Sequence, residues 1–268
     1  MKIISWIFLI ASIILILCGG VLAYSYFFNQ DIYSYFIKGK EKKQSFELDT
    51  LFLKVLIKED AEAVKTIKVT NTDSKTSLFS IKKKGINGLV SIEQEEFELM
   101  PKEEKTISIK FSSKNNSAGV YIGQIEVSSG GETRKIPVIL EVQSRDILFG
   151  TNTNLYPQGK VTPGQVLNAE IKIFDLAGIG ISNIDLEYYI KDFSGKTLIS
   201  ETERLVVDKK LTLSRMLKIP KNADYQDYVL IVLVHYDGSI GTSSVFFSIN
   251  ENGDLLPAKN SSIYIVLI

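Results

Sequence analysis

The sequence is poor in the residues that build most catalytic and metal centres. Its 268 residues include one Cys, one Trp and one His. A disulfide needs two cysteines, so Cys18 cannot staple this chain to itself. A zinc site of His and Cys ligands needs three or four such side chains. A Ser-His-Asp or Cys-His mechanism would have to run through His235. Charge of one sign is also lacking: Lys+Arg and Asp+Glu are both 31, for a formal net charge of zero. Nucleic acid binding normally leaves a basic footprint, and none is present. With 45% hydrophobic and 23% charged residues, disorder is excluded for most of the chain.

The strongest positive signal lies at the N-terminus. From Ile3 to Phe28 there is no charged residue, a run of about 26 residues against the roughly 20 a helix needs to cross the hydrocarbon core. Ile3, Trp6, Phe8, Leu15 and Leu22 carry the apolar body of this anchor, and Tyr24, Phe27 and Phe28 begin an aromatic belt suited to the headgroup level. Two rival readings stand beside an uncleaved anchor. Val21-Leu22-Ala23 offers a cleavage site of a signal peptide, although the apolar run exceeds the usual h-region. Leu15 to Gly19 resembles a lipobox around Cys18, with Leu17 where a small residue is expected. Lys2 argues for a cytoplasmic N-terminus, while Lys38, Lys40, Lys42 and Lys43 argue the other way. The expectation is a cell-membrane protein with one span, or two, and with the rest of the chain extracytoplasmic.

Beyond a Lys-rich linker at 38–44, the apolar period becomes two. Ile107, Ile109 and Phe111 alternate with Thr106, Ser108 and Lys110. Ile136, Val138, Leu140 and Val142 alternate with Lys135, Pro137 and Glu141, which places the second set toward solvent. Pro137, facing outward, points to an edge strand. Leu167–Ile173, Ile184–Ile190 and Val245–Ile249 repeat the pattern, whereas Tyr228–Val234 is apolar on both faces and reads as a central strand. Turn clusters separate the runs, among them Asn71-Thr72-Asp73-Ser74, Asn87-Gly88 and Asp237-Gly238. The expected fold is all-β, with an antiparallel sandwich at 45–144 and a second at 145–250 behind an N-terminal transmembrane helix, whose anchor and aromatic juxtamembrane segment together span 1–37.

Few residues invite a chemical role. His235 sits before the Asp237-Gly238 turn with no marked nucleophile, so it reads as a structural histidine. Gly178-Ile179-Gly180 lacks the rest of a dinucleotide fingerprint and reads as a turn. Lys82-Lys83-Lys84 and the acidic Glu93, Glu95, Glu96 and Glu98 either face each other or are solvated, and the solvated reading is favoured. Asp185, Asp192, Asp224 and Asp227 are scattered carboxylates that would have to converge to hold calcium. Asn115 and Asn260 begin N-x-S glycosylation motifs. No cofactor is expected, and the chain is not expected to be an enzyme.

Leu99-Met100-Pro101-Lys102-Glu103 precedes one strand, and Gly119-Val120-Tyr121-Ile122-Gly123-Gln124-Ile125-Glu126-Val127 forms another. This first half resembles immunoglobulin-like modules of prokaryotic surface proteins. The second half, with Val161-Thr162-Pro163-Gly164-Gln165, Gly178 to Asn183 and Asp185 to Ile190, resembles the related CARDB-like adhesion modules. The resemblance implies tandem immunoglobulin-like sandwiches without the Cys pair and Trp of animal domains. It also implies a non-catalytic stalk or a protein- or glycan-binding module. The alternative is an accessory subunit of a membrane complex. Expected partners are the lipid bilayer and other surface proteins or glycans. The polar 251–262 stretch ends at Ile263-Tyr264-Ile265-Val266-Leu267-Ile268, expected to open a second transmembrane helix or to add a strand.

Overall fold

The computed structural model describes residues 44–158 and 160–251. The anchor residues Ile3, Trp6, Phe8, Leu15, Leu22, Tyr24, Phe27 and Phe28, Asn260 and the apolar tail lie outside the described residues. Among the described residues no helix is long and apolar enough to cross a membrane. The described chain is all-β, with several sheets in the arrangement of a β-sandwich.

The first half supplies nine strands: β1 (Phe46–Leu48), β2 (Leu53–Lys58), β3 (Glu62–Asn71), β4 (Ser77–Lys84), β5 (Val90–Ile92), β6 (Glu96–Leu99), β7 (Glu104–Ser112), β8 (Gly119–Ser129) and β9 (Glu132–Gln143). They form one sheet in the order β1-β3-β7-β5 and another in the order β2-β9-β8-β4-β6. The second half supplies β10 (Phe149–Tyr156), β11 (Lys160–Val161), β12 (Val166–Asp175), β13 (Ser182–Asp192), β14 (Thr197–Val207), β15 (Lys210–Lys218), β16 (Asp227–Tyr236) and β17 (Ser239–Ile249). Its sheets run β10-β12-β15 and β11-β17-β16-β13-β14.

The alternating residues close these sheets in pairs. Ile107, Ile109 and Phe111 of β7 meet Ile136, Val138, Leu140 and Val142 of β9 in the first core, all at most 2% exposed. A T-shaped Phe46–Phe79 pair and a stacked Phe79–Phe97 pair fill its end. The second core gathers Leu167, Ala169, Ile171 and Ile173 of β12 with Ile184, Leu186 and Ile190 of β13. Gly123 sits where β8 passes under the Lys84 carbonyl. A Cβ there would lie 2.3 Å from that oxygen, so the second glycine of the G-x-Y-x-G stretch is required by close approach.

Three expectations need correction. The sheets are mixed, because β2 runs parallel to β9 and β11 parallel to β17. Each half begins on one sheet and crosses to the other: β1 pairs with β3, then Asp49–Phe52 carry the chain over to β9. A first strand that crosses in this way runs in the same direction as the last strand. Second, β9 is not an edge strand, since it lies between β2 and β8. Pro137 is tolerated because pairing with β2 starts only at Val138, so the missing N–H costs no bond on that side. Third, Glu141 does not face solvent. Its side chain is 5% exposed.

Glu141 is covered because the two halves stack face to face. Ile139 of β9 packs with Val229, Ile231 and Leu233 of β16 in a third cluster, flanked by Phe52, Ile122, Tyr189 and Phe246. The order of layers is therefore β1-β3-β7-β5, β2-β9-β8-β4-β6, β11-β17-β16-β13-β14 and β10-β12-β15, with apolar residues in all three spaces. β16 is apolar on both faces because one face meets the second core and the other meets the first half.

Candidate functional site at the seam between the halves

The seam carries a buried polar centre. Lys54 of β2 lies 2.8 Å from a Glu141 carboxylate oxygen and donates to the Ser244 carbonyl at 2.6 Å. The Ser244 hydroxyl donates to the same Glu141 carboxylate at 2.5 Å. A buried charge persists only when its partners satisfy it, and here three strands from both halves converge to do so. Beside this centre a small chamber of about 150 Å3 reaches Thr151 and Thr242. The hydroxyls of both are buried without a hydrogen-bond partner.

Ser144 hydrogen-bonds reciprocally with Ile240 where β9 ends: its N–H donates to the Ile240 carbonyl at 3.1 Å and its hydroxyl accepts the Ile240 N–H at 2.8 Å. The other end of β9 lies near both ends of the described chain. The Ser45 N–H and hydroxyl donate to Glu132 at 2.8 and 2.6 Å. Burial opposes the charge on Glu132, but the two Ser45 donors and Arg134 outweigh it and hold the carboxyl at about 2. The Ile249 N–H donates to the Gln226 carbonyl at 2.9 Å. At this pole a cleft of about 420 Å3 opens between Gln124, Lys135 and Pro137 of the first half and Phe193, Gln226 and Asp227 of the second.

The cleft wall of the second half is tied together by hydrogen bonds to one carboxylate. Asp192, 3% exposed, accepts the Ser194 N–H at 2.8 Å and its hydroxyl at 2.6 Å, the Lys196 N–H at 2.9 Å and the Gln226 amide at 3.1 Å. Burial works against its charge, yet these donors keep its carboxyl below the usual range. Across the cleft the Gln124 amide donates to Glu126 at 2.9 Å, and Lys84 pairs with the same carboxylate at 2.9 Å.

The opposite pole carries an apolar tip. In the loop between β12 and β13, Leu176 is 57% exposed, Ile179 41% and Ile181 78%, and Val206 beside them on β14 is 60% exposed. The loop is nonetheless fixed. Asp175 accepts the N–H groups of Ala177, Gly178 and Gly180 at 3.1, 2.8 and 2.9 Å. The Gly180 bond is the main cause that lowers the Asp175 carboxyl. Gly178 and Gly180 both have positive φ, so this stretch is the turn the sequence suggested.

The other sequence-derived residues are dispersed. His235 lies 3.4 Å from Glu187, both about one-third exposed. Among the described residues no hydrogen bond joins it to Ser239, which accepts the Leu148 N–H at 3.1 Å. Asp185 pairs with Arg204 at 2.9 Å and Asp224 with Lys196 at 3.5 Å. Asp185 and Asp192 stand toward opposite ends of β13, so the four carboxylates do not converge. Among the described residues no His, Cys, Asp and Glu group is placed to hold a metal ion. Of the two charge runs, Lys83 does face the acidic one, at 3.0 Å from Glu95, while Lys82 is exposed. Asn115 is exposed in the turn after β7, with φ at 61°. A further polar cluster, not anticipated, joins Tyr188 and Arg215 to Glu203 between β14 and β15. The Tyr188 hydroxyl donates at 2.7 Å and Arg215 Nε at 2.6 Å. Burial, then the Glu203 carboxylate, pushes the Tyr188 hydroxyl up to about 12.

No protein-family model and no curated protein matches the chain. Solved structures do resemble it. A protein of unknown function from Porphyromonas gingivalis W83 aligns at 13% identity and a TM-score of 0.44, covering 78% of this chain and 100% of that one. The PapD-like domain 7 of human CEP192 aligns at 10% identity and 0.35, covering 40% of this chain and 91% of its own length. The CARDB domain of a Pyrococcus furiosus protein, solved with di-metal ions, aligns at 14% identity and 0.28, covering 38% and 87%.

Proposed function

We propose that the chain is a non-catalytic, membrane-anchored extracytoplasmic protein. Its two immunoglobulin-like sandwiches, 45–144 and 145–250, form one binding body held against a cell surface. The observation that carries this reading is the polarity of the stack. Ser45 and Ile249 leave from one pole, while the fixed apolar loop Leu176–Ile181 stands at the other. The 12 residues of β9 separate the poles by roughly 40 Å of extended chain. A body attached through its chain ends thus presents the opposite pole outward.

Impermeant thiol labelling tests the placement. In the full chain with Cys18→Ser and a single cysteine introduced by Ile181→Cys, a membrane-impermeant maleimide should label intact cells. Labelling only after lysis would overturn the extracytoplasmic reading.

A second reading, an accessory subunit of a membrane complex, is favoured by the same tip. Three large aliphatic side chains on a loop hydrogen-bonded to Asp175 form an apolar surface of the kind that partners cover. Purification in mild detergent should then yield a stoichiometric partner that Ile181→Asp releases. A lone chain or homo-oligomer returns the choice to the free-standing module.

A further inference from the structure

We propose that the cleft between Pro137 and Phe193 binds a neutral pyranose disaccharide. This deepens the binding-module reading above and rests on it. The cleft combines two apolar rings with polar groups whose orientations are already set. Phe193 is held by Phe246, with ring centroids 6.0 Å apart, and Pro137 provides a second flat face across the seam. The C–H face of a pyranose is apolar and packs on such rings, while its hydroxyls need partners around the edge.

Those partners are present with spare capacity. The Gln226 amide nitrogen donates to Asp192 at 3.1 Å and to the Tyr228 hydroxyl at 3.3 Å, and the Gln124 nitrogen donates to Glu126 at 2.9 Å. Each carboxamide is thereby fixed with its carbonyl oxygen left to accept a hydroxyl. One Asp227 oxygen accepts from Ser248 at 2.5 Å, which leaves the other as an acceptor. Lys135 is exposed, with no acidic group within ion-pair distance among the described residues, and supplies a donor. Acceptors and donors are both present, as hydroxyl groups, which do both, require. The charges that line the cleft balance: Lys84 is paired with Glu126, and Lys135 is offset by Asp227, so no net charge favours a phosphate or uronate ligand. A volume of about 420 Å3 suits a ligand of two sugar rings.

The test uses the full chain in lipid nanodiscs, since glycoside detergents would compete. Maltose, cellobiose, lactose and N,N′-diacetylchitobiose are offered in saturation-transfer NMR and then titrated. At least one should bind, and its dissociation constant should rise at least fivefold in Phe193→Leu, which keeps apolar volume without the ring. Lys135→Ala, an exposed change that leaves the melting temperature unaltered, should weaken it at least threefold. The inference is overturned if none of the four binds, if both variants bind like the parent, or if a glucuronate disaccharide binds more tightly than the neutral ones. Because nanodisc binding does not depend on cellular placement, a failure here leaves the thiol-labelling result intact, and the reverse holds too.

Discussion

Single side chains hold the stack at places where strands change partners. Glu132 is one, clasping Ser45 just before β1. Its carboxyl is held at about 2 against an ordinary 4.5. A depressed acid contributes stability above its unfolded value and loses that contribution as the pH falls toward the folded one. Glu132→Gln should therefore cost about 1.5–3 kcal/mol at pH 6. Chemical denaturation of both forms should show the gap closing between pH 4.5 and about 2; a gap independent of pH would refute the clasp. Lys54 and Glu141 are the second case. Removing one partner of a buried pair strands the other, so Lys54→Met should cost about 3 kcal/mol or more. Lys54→Met with Glu141→Leu should recover much of that loss. A double variant as unstable as the sum of the singles would mean that the pair is not the unit of stability.

Among the elements, β16 distinguishes what the sequence discloses from what it hides. Its all-apolar run predicts a strand covered on both faces, and it is one, but the cover on its outer face comes from residues about 90 positions away. The clues were apolar side chains at outward positions: Val120 and Ile122 on β8, and Ile139 on β9. Each is unremarkable alone, and only their shared neighbour gives them meaning. Period-two alternation could place Ile136, Val138, Leu140 and Val142 inward, since that depends on one strand. It could not foresee that Glu141 would be buried by a second module, nor bring Pro137 against Phe193, because both depend on how two sheets meet. The apolar tip was visible in sequence only as a glycine-rich turn, since a turn's pattern does not record which side chains it leaves exposed. Ile231→Ala tests the seam directly. It should cost about 2–5 kcal/mol and should speed amide exchange in β9 as well as in β16. Faster exchange confined to the second half would mean that the halves do not support each other.

At the scale of the whole molecule, three apolar layers in series should make the described body unfold as one. The halves belong to one compact unit that begins at Ser45. Calorimetry should show a single transition, unchanged by reductant because the one cysteine is Cys18. Two separated transitions would show that the seam is too weak to couple the halves. The polarity of the stack has a mechanical consequence. A load applied between the Leu176–Ile181 tip and Ile249 runs along β17, not across it. The ladder bonds, which lie perpendicular to the strands, are then strained side by side, and no single one can open first. A pull on the chain ends alone meets a different path. Ser45 and Ile249 leave from the same pole, so tension would start at β1, a strand of three residues, and open its few bonds in turn. The body is thus built to resist a load carried between its tip and Ile249 and to yield first at Ser45.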